Sequence, residues 1–120
     1  MTSKHPDVES FLPLPPVTFH ILIALTDGDR HGYAIIQDIA ARTDGEVKLG
    51  AGTLYRSIQR MQDQDLIAET WERPNSTKDD ERRRYYRITS LGTAVARAEM
   101  RRLSRLVKLA RASGLAPQRG

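Results

Sequence analysis

The chain has 120 residues and no cysteine. Disulfides, thiolate metal sites and cysteine nucleophiles are thereby excluded, and a reducing cytoplasm is compatible with the composition. No apolar run approaches the roughly 18 residues that a membrane span requires. The opening MTSKHPDVES also lacks the apolar stretch of a secretory signal. The expected location is cytoplasmic, with no membrane partner. Histidines are few: His5, His20 and His31 stand far apart, without metal-ligand spacing. There is no Ser-His-Asp set, no paired catalytic carboxylates and no phosphate-binding glycine motif. An enzyme is not expected, nor is a metal or other cofactor.

What is present fits a single soluble domain with a modest core. Hydrophobic residues make up 39% and charged residues 28% of the chain, close to globular averages with some extra charge. The formal net charge is +4, which suggests an acidic partner, but its distribution matters more than its sum. Residues 1–90 carry 12 Lys and Arg against 14 Asp and Glu, whereas residues 91–120 carry 7 against 1. A general appeal to basic character therefore says little about the first three quarters, where the arrangement of side chains has to carry the argument.

Along the chain, MTSKHPDVESFLPLPP is polar and then proline-rich, an arm over residues 1–16 that is either mobile or ordered against something else. The run from Val17 to Leu25 is too apolar for a surface helix and predicts a buried first helix that stops at Asp27-Gly28. Tyr33, Ile35, Ile36, Ile39 and Ala40 form a helical stripe that closes at Asp44-Gly45, a C-cap signal. Glu46 to Leu49 has the length of a minor strand. In LGAGTLYRSIQRMQDQDLI, Leu54, Ile58, Met61 and Asp65 fall in one helical sector, with Ala51 at its edge. The segments IAETWE and RRRYYRI then read as a β-hairpin with a charged, turn-forming tip. Thr89-Ser90 offers an N-cap to a final helix over about residues 91–113.

The outward face of the third helix holds Tyr55, Arg56, Gln59, Arg60 and Asp63, with Thr53 at its exposed start. Gly50 and Gly52 leave that start unobstructed, and unsatisfied N–H groups there favour an anion such as a phosphate. Three helices followed by a hairpin is the order of a winged helix, in which the third helix enters the DNA major groove and the hairpin lies along the adjacent backbone or minor groove. Arg82, Arg83, Arg84 and Arg87 on one hairpin strand, interleaved with Tyr85 and Tyr86, suit phosphate contact. In this reading Arg56 and Gln59 approach base edges while Thr53, Tyr55 and Arg60 hold phosphates. Tyr33 and Tyr55 fit core-edge packing equally well, and the arginines would also neutralise Asp79, Asp80 and Glu81 beside them. Trp71 on the first hairpin strand reads as a packing residue, with ligand stacking as its alternative. His31 reads as a helix-initiating residue.

These residues resemble the PadR family of bacterial transcriptional regulators. The matching pieces are His31-Gly32-Tyr33, Gly52-Thr53-Leu54-Tyr55, the Arg60-Met61 pair before Asp65-Leu66-Ile67, and Arg83 to Thr89 with Leu91-Gly92. The likeness spans about residues 17–110, and it departs from the family where Ala51 stands in place of the more usual proline. The resemblance implies a winged-helix DNA-binding domain over residues 17–90, a dimerisation helix over residues 91–114 and a tail over residues 115–120, acting as a repressor. The fold class expected is mainly α with a small β-hairpin. With so little chain beyond the DNA-binding part, no separate effector domain is expected, and a small-molecule effector would have to lie at the dimer interface.

The final helix supports that expectation independently. Leu91, Val95, Leu103, Leu106, Leu109 and Ala110 spread over one broad side, with Ala96 and Val107 at its margin, opposite a stripe of Arg97, Arg101, Arg105, Lys108 and Arg111. A helix this long cannot lay its whole apolar side on one small core, so its distal half is expected to bury against the same helix and the N-terminal segment of a second copy. Phe11, Leu12 and Leu14 are the candidate contacts from that segment. Two-fold symmetry would then imply an inverted-repeat operator in double-stranded DNA. Two other classes compete: a winged-helix module that binds an acidic protein, and a membrane-surface protein held by the cationic final helix.

Overall fold

The computed structural model describes residues 7–70 and 84–116. After a 3-10 turn at Val8–Phe11 come α1 (Pro16–Ala24), β1 (Arg30–His31), α2 (Gly32–Arg42), α3 (Ala51–Asp63), β2 (Ile67–Thr70), β3 (Tyr85–Ile88) and α4 (Ser90–Ala112). The architecture is mainly helical, with a small three-stranded antiparallel sheet in the order β1-β3-β2. It is a winged helix.

Pro16 opens α1, where its missing N–H removes a donor that would have had no partner. Ile21, Leu22 and Ala24 of α1 are fully buried and meet Ile35 and Ile39 of α2 and Leu54, Ile58 and Met61 of α3. The α2 helix begins on His31, whose Nδ1 accepts from the Ala34 N–H at 3.1 Å, so this histidine is an N-cap. It ends as expected at Asp44-Gly45: both residues have positive φ, and the Gly45 N–H reaches the Ala40 carbonyl at 2.7 Å. The α3 helix stops at Asp63. Asp65, expected within its apolar sector, instead lies beyond the helix, exposed and with φ of 62°. The reversal there lets the Leu66 N–H close on the Met61 carbonyl at 2.9 Å.

The minor strand is not where the sequence suggested. Residues 46–49 form no ladder; Val47 and Leu49 turn toward the core and Glu46 and Lys48 outward, so their alternation is satisfied by packing alone. The third strand is Arg30–His31, paired with Tyr86 and Tyr85. On its other edge β3 pairs with β2 from Ile67↔Ile88 to Thr70↔Tyr85. With both edges of β3 taken, residues 46–49 have no open place beside it.

Thr89 caps α4, its Oγ1 accepting from the Gly92 N–H at 2.9 Å. The Thr89 N–H also donates to the Leu66 carbonyl at 3.1 Å. This ties the start of α4 to the turn between α3 and β2. Leu91, Val95 and Ala98 then pack into the core, and Glu99 is buried beside them. Beyond Glu99 no described residue of α4 is fully buried, so the distal half of the helix stands clear of its own core.

Candidate nucleic-acid interface

The α3 helix divides its residues cleanly by exposure. While Leu54, Ile58 and Met61 face the core, Thr53, Tyr55, Arg56, Gln59, Arg60 and Asp63 are all exposed. This is the division the hydrophobic spacing predicts. Gly50 precedes the helix with no side-chain cap on its first N–H groups. A Cβ built at Gly50 would meet no atom within 4 Å, and one at Gly52 would approach only the Arg56 guanidinium, at 3.3 Å. The start of the helix is therefore uncapped and unobstructed at its two glycines. Two side-chain contacts run along the exposed face: Arg56 Nη2 to Thr53 Oγ1 at 3.5 Å and Gln59 Nε2 to Asp63 Oδ1 at 3.2 Å.

Tyr33 and Tyr55 are both open to solvent. Tyr33, in the first turn of α2, is 61% exposed and Tyr55 is 49% exposed. Tyr55 lies across Gly32, so that an added Cβ at Gly32 would strike its Oη and stand 2.8 Å from its Cζ. The absence of a side chain at Gly32 thus lets α3 approach the start of α2. Tyr55 packs against Gly32 and remains open to solvent at one side.

On the sheet, Tyr86 is buried, and burial raises its phenol above the ordinary tyrosine range. Tyr85 meets the His31 ring edge-to-face at 5.5 Å between centroids. Arg84 is exposed, with Glu69 at 3.8 Å as a loose partner. Arg87, the fourth arginine of this strand, is half exposed, and its Nη2 donates to Asp29 Oδ2 at 3.0 Å. Arg82, Arg83 and Trp71 lie outside the described residues.

A second surface runs along α1 and α4. An apolar groove of about 460 Å³ is lined by Phe19, Ile23, Ile88, Ala96 and Met100, with Arg97 at its side. It continues past Phe19 and Met100 to Leu103 and Val107. Leu106, Val107 and Leu109 are each at least half exposed, Leu103 and Ala110 less so. The N-terminal candidates divide. Leu14 is buried in its own chain's core, and its N–H donates to Glu99 Oε2 at 3.2 Å, while Phe11 and Leu12 are half-buried against that core. Where the sequence reading put Leu14 against a second copy, its side chain is already covered by its own.

Sequence reasoning missed three residues that shape these surfaces. Asp63 stands on the outward face of α3, and its i+4 spacing from Gln59 is the local signal of a hydrogen-bonded pair. Glu99 is the one acidic residue among the seven basic ones of the last quarter, and on so cationic a helix it reads as solvated. The Asp29 to Arg87 pair spans 58 positions, and no local pattern announces it. Among the described residues no cluster of histidine, cysteine or acidic side chains could hold a metal, and no helix is long and apolar enough to cross a membrane.

Residues 21–98 match the transcriptional regulator PadR-like family. A protein of Lysinibacillus sphaericus named only as uncharacterized protein X is 38% identical over 88 residues, which cover 73% of this chain and 72% of that one. Among solved structures, a transcriptional regulator from Clostridium thermocellum is 27% identical with a TM-score of 0.67, covering 80% of this chain and 87% of its own. The fold is shared also with a PadR family transcription regulator from hypervirulent Clostridium difficile, at 24% identity and a TM-score of 0.69, covering 82% and 97%. With the winged helix and its exposed third helix, these matches establish that the chain belongs to the PadR-like family of transcriptional regulators.

Proposed function

We propose that the protein is a sequence-specific DNA-binding repressor that acts as a homodimer on an inverted-repeat operator. The observation that carries this reading is the exposed face of α3, where Arg56 and Gln59 stand between flanking Thr53, Tyr55 and Arg60. Arginine can bond guanine bidentately and glutamine can bond adenine. The uncapped N–H groups at the start of α3 suit a phosphate. Arg84, with Arg82 and Arg83, adds sequence-independent attraction through counterion release.

Dimerisation is supported by the apolar distal half of α4 and the groove beside it. A second copy of α4 laid along Leu103, Leu106, Val107, Leu109 and Ala110 would remove that surface from water, with Phe11 and Leu12 at its edge. A small-molecule effector would take the groove of Phe19, Ile23 and Met100, roofed by the second copy. The cationic stripe of Arg97, Arg101, Arg105, Lys108 and Arg111 stays in solvent, where it favours approach to DNA.

A mobility-shift assay on the region upstream of the protein's own gene, at one salt concentration, tests the reading. Wild type should prefer that duplex to unrelated DNA, and Arg56→Ala should relax one or two base positions at a cost of about 1 to 3 kcal/mol. Equal weakening on every sequence would make Arg56 a phosphate contact. A wild type without any sequence preference would favour the rival reading, a winged helix that binds an acidic protein.

A further inference from the structure

On the exposed face of α3, Gln59 Nε2 lies 3.2 Å from Asp63 Oδ1. An ionised carboxylate accepts hydrogen bonds and cannot donate one. The end of the Gln59 amide turned toward Asp63 must therefore be its NH2 group, an orientation that the shape of the amide alone would leave open. Resting on the reading of α3 as the recognition helix, we infer that Asp63 is a positioning residue that makes Gln59 select adenine over guanine.

The chemistry is that of a donor and an acceptor held in fixed order. One N–H of the Gln59 amide serves Asp63. The other stands beside Oε1, so that the pair presents one donor and one acceptor side by side. Adenine matches it with its N7 acceptor and N6 donor, whereas guanine offers two acceptors, N7 and O6. An anchored Oε1 would then face guanine O6, acceptor against acceptor. An amide free to turn could offer its NH2 to guanine instead. Two plainer roles compete: a Gln-Asp pair four residues apart supports a helix, and a lone carboxylate repels every phosphate alike.

Competition binding decides among these, using the tightest duplex for wild type and versions of it with each adenine pair changed to guanine. Gln59→Ala identifies the adenine position that the side chain reads. Asp63→Asn keeps the size and the i,i+4 bond, but an amide can donate as well as accept, so the order is no longer imposed. At the Gln59 position the adenine-over-guanine ratio should fall by about three- to tenfold, the size expected of one hydrogen bond. Other positions and the melting temperature should hold. Asp63→Glu, still an acceptor alone, should keep the ratio. The inference is overturned if Asp63→Asn leaves the ratio intact, if it tightens all sequences equally, or if it weakens all of them together with a lower melting temperature. A wild type with no base preference overturns the recognition-helix reading itself, and this outcome is distinct from the other three.

Discussion

Glu99 shows how one side chain joins the N-terminal segment to α4. It is 2% exposed, and it accepts from Arg102 Nε at 2.6 Å, Arg102 Nη2 at 2.9 Å and the Leu14 N–H at 3.2 Å. A buried carboxylate is costly unless its oxygens are matched in this way. The hydrogen bonds from Arg102 outweigh desolvation and hold the carboxyl below its usual range. A depressed folded pKa stabilises the fold at pH values above the unfolded pKa, and that contribution is lost as pH falls through the folded one. Glu99→Gln should therefore cost about 1 to 3 kcal/mol at neutral pH, measured by urea unfolding. The gap to wild type should narrow in acid, once the wild-type carboxyl is protonated as well. A gap that stays constant down to acid unfolding would mean that the ionised form has no special place here. The sequence did not announce this residue, because a glutamate on a cationic helix reads as solvated until the fold brings Leu14 to it across 85 positions.

Two glycines set how neighbouring elements approach, and they differ in what stands opposite. At Gly92 an added Cβ would strike the Leu66 carbonyl oxygen and lie 3.0 Å from Ile88 Cγ1. The first of these is backbone, held by Thr89, and cannot swing away. At Gly32 the nearest obstacle is the half-exposed Tyr55 ring, a side chain rather than backbone, with Leu54 Cδ2 at 3.2 Å beside it. Gly92→Ala should thus destabilise by about 1 to 3 kcal/mol or more. Gly32→Ala should lose less stability while weakening DNA binding, since it displaces a side chain of the proposed interface. Urea unfolding and a binding assay on both variants check the contrast; equal stability losses would contradict it. At this scale much of the fold was legible. The stripe of Leu54, Ile58 and Met61, the Thr89 cap and the Asp44-Gly45 stop are local signals that the structure bears out. What could not be read were elements made by distant partners. Arg30–His31 has no apolar alternation and is a strand only because β3 has an edge for it to occupy. Val47 and Leu49 alternate as a strand would, yet no edge was left beside β3. Asp65 continued the apolar sector in projection, but the helix had already ended.

For the whole molecule, the decisive feature is an apolar surface that its own core does not cover. The α4 helix has 23 residues, about 34 Å at the usual rise, and only its first half is anchored. Replacing Leu106 and Leu109 together by Asp would put charge on that surface, where the side chains are 52% and 60% exposed. The single chain should keep its stability, because neither residue is in its core. Sedimentation should give twice the 13.5 kDa chain mass for wild type and one chain mass for the double variant. A double variant that still pairs would move the contact away from this half of α4. Two-fold pairing would also let two α3 helices read one operator together. Selection of bound duplexes from a random pool by the wild-type protein tests this most directly. One half-site should be enriched in two inverted copies, their centres about 10 base pairs or a multiple of that apart; enrichment of a single unpaired half-site, or of no sequence at all, would rule out paired recognition.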